Sequence, residues 1–115
     1  MSAWQERRVE ATRLAPGAEE SAAAARLLTL LLDPDDTAVS QAAAEALLQR
    51  GDLVAVRLVA EAFEVADEDT KNKIGDCLYD DQGARWASVW SLLDELPDGV
   101  QALREHMARE EQEHR

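Results

Sequence analysis

The chain has 115 residues, a formal charge of −12, 46% apolar residues and only 4% aromatic ones, which suits one domain, 1–115, that needs no disulfide or structural metal. Its apolar content is largely Ala and Leu, a balance that favours helices over sheets, and its charge repels nucleic-acid phosphates and anionic lipid, so neither is an expected partner. No apolar stretch approaches the roughly 20 residues of a membrane span, Cys77 has no second cysteine to pair with, and the opening MSAWQERRVE lacks a signal-peptide core, so the expected location is cytoplasmic.

An N-terminal helix is expected over about 3–15, closed by Ala15-Pro16-Gly17, with a thin apolar stripe of Trp4, Ala11 and Leu14. From Glu19 to Asp33 acids open the first turn, as the helix dipole prefers, and Ala24, Leu27, Leu28 and Leu31 recur at helical spacing. Leu30 and Leu32 widen that stripe, so this helix must be covered on more than one side. The run Asp33-Pro34-Asp35-Asp36-Thr37 then supplies a stop and a choice of N-caps.

The next helix reaches about Arg50 on Val39, Ala42, Ala43, Ala46 and Leu47, and Gly51-Asp52 closes it with a left-handed glycine and caps its successor. Leu53 to Ala66 buries Ala55, Leu58, Val59, Ala62 and Phe63. After the turn Asp67-Glu68-Asp69-Thr70, a helix to Asp81 buries Ile74, Cys77 and Leu78; Gly83 ends it, and Ala84 to Leu96 carries Trp86, Val89, Trp90 and Leu93. Pro97-Asp98-Gly99 precedes a last amphipathic helix over about 99–112, on Val100, Leu103 and Met107, with a tail expected to fray.

Shifting the sequence by 31 residues superimposes these helices, the mark of stacked repeats over about 19–97. Leu27, Leu28, Leu31 and Leu32 fall on Leu58, Val59, Ala62 and Phe63, and Leu58, Val59 and Ala62 fall on Val89, Trp90 and Leu93. Between them, Ala43, Ala46 and Leu47 fall on Ile74, Cys77 and Leu78, and Asp36 falls on Asp67. The segment Asp35-Asp36-Thr37-Ala38-Val39 with Ala42 to Leu48 and Gly51-Asp52, followed by Leu53 to Phe63, resembles the short HEAT-like repeats of phycobilin-lyase-related proteins. The resemblance covers roughly 22–96 and departs where Ser40 and Lys71 occupy a position often held by arginine. It implies an all-α fold, a short right-handed α-solenoid of stacked antiparallel helical hairpins with about 6–7 helices and a curved binding surface. The lyase activity of some relatives is not implied, since no ligand-attachment motif is visible.

Charge is uneven: residues 1–32 are neutral, 33–98 carry a net −11 and 99–115 a net −1. Asp33, Asp35 and Asp36 occupy a turn equivalent to that of Asp67, Glu68 and Asp69, so the repeat should align them along one acidic edge, with Asp80 and Asp81 toward the opposite end of their helix. Some of these acids are expected as helix caps and the rest as surface charge. Trp86 and Trp90 share a helix face and suit either core burial, a cap beneath the last helix or a binding anchor, with Tyr79 as a rim contact.

Catalytic signatures are missing. Cys77 falls on a buried stripe, His106 and His114 read as surface residues in the last helix and tail, and no metal-ligand constellation, phosphate loop or nucleophile elbow is present. The expectation is therefore a protein that is not an enzyme and uses no metal or cofactor. Its role would be that of a non-catalytic protein-binding module, as monomer or homodimer, whose partner is another protein with a basic surface. An acidic inhibitor or immunity-type protein that neutralises a basic enzyme is the concrete version. The alternative is a structural or oligomerisation subunit that buries its apolar stack ends and Trp86/Trp90 against another copy.

Overall fold

The computed structural model describes residues 3–33, 37–79, 83–96 and 98–113, with backbone only at 3, 4 and 37. Among the described residues the chain is all-helical, with no strand. Seven α-helices follow one another: α1 Ala3–Leu14, α2 Ser21–Leu31, α3 Thr37–Arg50, α4 Leu53–Val65, α5 Glu68–Asp76, α6 Ala84–Leu93 and α7 Gln101–Glu113, with a 3-10 turn at Ala15–Gly17.

The helices form two rows. α1, α3 and α5 lie side by side in one, α2, α4 and α6 in the other, and α3 packs on both α2 and α4 to join them. α7 lies on α4. Residues matched by the 31-residue shift meet the core in the same way: Leu27 and Leu31 of α2, Leu58 and Ala62 of α4, and Val89 and Leu93 of α6 are all buried. In the other row Ala43 and Leu47 of α3, Ile74 of α5 and Leu78 just beyond the end of α5 do the same. A single cluster results, built mostly from Ala, Leu and Val side chains and including the fully buried Phe63 ring. Ser40 is fully buried on α3, a place that has no room for an arginine stem.

Asp52 and Asp67 act as the caps that their positions suggest. The Asp52 carboxylate accepts the Ala55 N–H at 3.1 Å and Asp67 accepts the Thr70 N–H at 2.8 Å, each satisfying a donor left open in a first turn. Gly51 stands between α3 and α4 at φ 69°, a left-handed geometry that costs glycine little.

Two helices stop sooner than the apolar pattern suggests. The expected span from Thr70 to Asp81 is replaced by α5, which begins at Glu68 and ends at Asp76, where the Cys77 and Leu78 N–H groups turn to the Ile74 and Gly75 carbonyls. The Cys77 carbonyl, left without an intrahelical donor, accepts from Arg85 Nη1 at 2.8 Å. The span expected to reach Leu96 ends at Leu93, whose carbonyl accepts from Arg104 Nη2 at 2.7 Å. Arg50 at the end of α3 likewise donates to the Ala15 and Pro16 carbonyls at 2.9 and 3.0 Å, closing the turn after α1. In each case a guanidinium from a later element supplies donors to carbonyls at a helix end, and its positive charge suits the negative end of the helix dipole.

Asp52 joins both kinds of contact, because its second oxygen lies 2.7 Å from Arg50 Nε. Asp52→Ala removes cap and ion pair together, and the expected loss is about 1 kcal/mol or somewhat more. Asp52→Asn keeps a capping oxygen and gives up only the charge, so urea denaturation should place it between wild type and alanine.

Candidate functional site

The acids singled out from the sequence that lie among the described residues have different surroundings. Asp33 is buried, with Oδ2 2.9 Å from Arg7 Nε, so it ties α1 to the end of α2. Asp67 is held by its capping role, which lowers its pKa through the Thr70 N–H. Glu68 and Asp69 are exposed in the first turn of α5, Glu68 lying 3.8 Å from Lys71. Asp35, Asp36, Asp80 and Asp81 lie outside the described residues, as does His114.

The aromatic residues do converge, and they do so beneath α7. Trp86 and Trp90 are half-buried on α6 and pack against the core. Both indole N–H groups donate to one oxygen of Glu111, Trp86 at 3.0 Å and Trp90 through a short contact. Tyr79, beyond the end of α5, stacks on Trp86 with centroids 5.0 Å apart and donates its hydroxyl to Glu110 at 3.3 Å. The tryptophans thus fill the seam between α6 and α7, while Tyr79 is 46% exposed at its rim.

His106 corrects the surface reading. Its ring is half-buried on α7, 5.1 Å from the Phe63 ring, and its Nε2 lies where a Cβ on Gly75 would approach to 2.7 Å. Gly75 therefore leaves on α5 the space that the His106 ring occupies. Burial lowers the His106 pKa, with the Glu110 and Glu68 carboxylates opposing that effect and Arg109 and Lys71 adding to it. An isolated glycine inside a helical pattern is a recognisable sign of close approach, and it marks this contact. Glu110 and Glu111 carried no comparable sign, since their aromatic partners are far away in sequence.

A pocket of about 360 Å³ opens at the same seam, lined by Asn72, Gly75 and Asp76 of α5, by Tyr79, and by His106 and Glu110 of α7. A broader groove of about 590 Å³ runs between α1 and α3, with Val9 exposed in it beside Arg8 and Arg13. Cys77 is buried, and its thiol is pushed up to about 12 by burial first and the Glu45 charge second, which keeps it protonated and unreactive near neutral pH. Among the described residues no group of three or more His, Cys, Asp and Glu is arranged to hold a metal ion. No helix among them is long and apolar enough to cross a membrane.

Comparison with protein-family models, with curated proteins and with solved structures gives no match to this chain. The site is read from its own geometry.

The docked imidazole carries a pH signature. Unfolded, the ring has a pKa near 6.5; folded, the value is lower. The unfolded chain therefore binds the proton more readily, so this contribution is complete above about 6.5 and is lost as the pH falls through the folded value. Urea midpoints at pH 7.5 and 5 should show wild type losing ground relative to His106→Gln on acidification, a comparison in which the general charge repulsion cancels. A constant difference at both values would refute the assignment.

Proposed function

We propose that this chain is a non-catalytic protein-binding module that neutralises a basic protein, as an inhibitor or immunity-type protein does, working from the cytoplasm. One observation carries the reading: most cations among the described residues are held in ion pairs while a surplus of acids faces outward. Arg7, Arg26, Arg50, Arg57, Lys71, Arg85 and Arg104 are all in ion pairs. Asp69, Asp76, Glu95, Asp98, Glu105 and Glu113 are exposed and have no ion pair among the described residues. Their field reaches about a Debye length, roughly 8 Å at physiological salt, and accelerates encounter with a cationic surface.

The two-row arrangement of helices supports the same reading, since HEAT-like stacks present extended surfaces to other proteins. Self-association through Trp86 and Trp90 draws less support. Their indole N–H groups are occupied by Glu111 and their rings are partly covered.

Captured from its native host, a partner should have a basic surface and should bind roughly tenfold or more weakly at 500 than at 50 mM salt. The double reversal Asp69→Lys/Glu105→Lys, which touches no helix cap and no ion pair, should weaken that binding by a similar factor, mostly through a slower association rate. Binding indifferent to both salt and reversal contradicts the proposal.

A further inference from the structure

Carboxylates stand at the ends of α5 and α7, in α5 alongside Lys73 and the Arg85 guanidinium. Asp76 is the last residue of α5, and Glu110 lies in the last turn of α7. A carboxylate at the negative end of a helix dipole is unfavourable, and cations are what that position ordinarily attracts. Both carboxylates line the 360 Å³ pocket, Asp76 from α5 and Glu110 from α7, so two side-chain charges of one sign border a single concave space. Asp76 has no ion pair among the described residues.

The remaining walls are suited to a flat cation. Trp86 stacks on the Tyr79 ring, and Tyr79, which is 46% exposed, lines the pocket. The hydroxyl bond to Glu110 fixes that ring in place. His106, whose pKa burial lowers, presents a neutral imidazole near pH 7, and Asn72 adds an amide. A cation against a tyrosine ring gains from the ring quadrupole, and guanidinium stacks on aromatic rings while donating in its plane to carboxylates. The volume falls at the small end of binding pockets and accommodates one long side chain.

We propose that this pocket receives an arginine side chain of the protein partner, its guanidinium lying against Tyr79 and donating to Asp76 and Glu110. The assignment rests on the basic-partner reading and gives it a single anchor point. Arginine is also among the side chains that most often dominate protein interfaces.

The test uses the full chain and the peptide acetyl-Gly-Arg-Gly-amide, followed through backbone amide shifts, with the citrulline peptide as the neutral isostere. Saturable shifts are expected at Asn72, Gly75, Tyr79 and His106, with citrulline binding at least tenfold weaker. Asp76→Asn should weaken the arginine peptide by fivefold or more while its melting temperature stays level or rises, because an unfavourable helix-end charge has gone. Tyr79→Leu, which keeps an apolar wall and removes the ring, should also weaken it. Equal response to citrulline, an undiminished response in Asp76→Asn, or shifts as large at Glu20 and Asp98 as at the pocket would each overturn the assignment. Failure here with salt-sensitive partner binding intact removes the pocket alone; failure of the Asp69→Lys/Glu105→Lys experiment removes the reading beneath it.

Discussion

Carbonyl groups at the ends of helices have no intrahelical donor, and in this chain arginines from other elements supply one. Arg50 reaches back to the turn after α1, Arg85 to the end of α5 and Arg104 to the end of α6. Each is also held by a carboxylate: Glu19 and Asp52 for Arg50, Glu45 for Arg85, Asp94 for Arg104. The guanidinium is well matched to this double duty, since its planar set of donors engages a carbonyl and a carboxylate together.

A consequence follows for the surface. With twelve Lys and Arg against twenty-four Asp and Glu, cations committed to helix ends cannot also screen the exterior. The outward acidity is thus partly a by-product of how the helices are closed. Where acids themselves occupy helix ends, they serve differently. Glu64 accepts the Ala102 N–H at 2.9 Å near the start of α7, in accord with the dipole, and Glu111 takes both indoles beneath the same helix. Asp76 and Glu110 oppose the dipole at the ends of α5 and α7, and local departures of that kind concentrate where a protein meets its ligand.

The all-helical fold and the burial of equivalent apolar positions were legible because a 31-residue register requires only that such residues meet the same core, and Leu27, Leu58 and Val89 do. Asp52 and Asp67 were legible as caps because a capping bond spans only three residues. The ends of α5 and α6 were not, since Arg85 and Arg104 decide them from outside the helix. Asp33 was misplaced for a related reason: its partner Arg7 comes from α1, and proximity in sequence grouped it with acids of the following turn instead. His106 reads as a surface residue on a weakly apolar helix until Gly75 is seen to leave room for its ring. Local chemistry was therefore readable, and contacts between distant helices were largely not.

Nitrogen-15 NMR of the arginine side chains tests the central claim, that guanidiniums are fixed at helix ends, most directly. Arg50, Arg85 and Arg104 should show slowed rotation of their Nη groups and protected Nε–H protons, in contrast to Arg57, whose side chain is 69% exposed and lies 3.5 Å from Glu61. Fast rotation and rapid exchange at all four arginines would contradict the account.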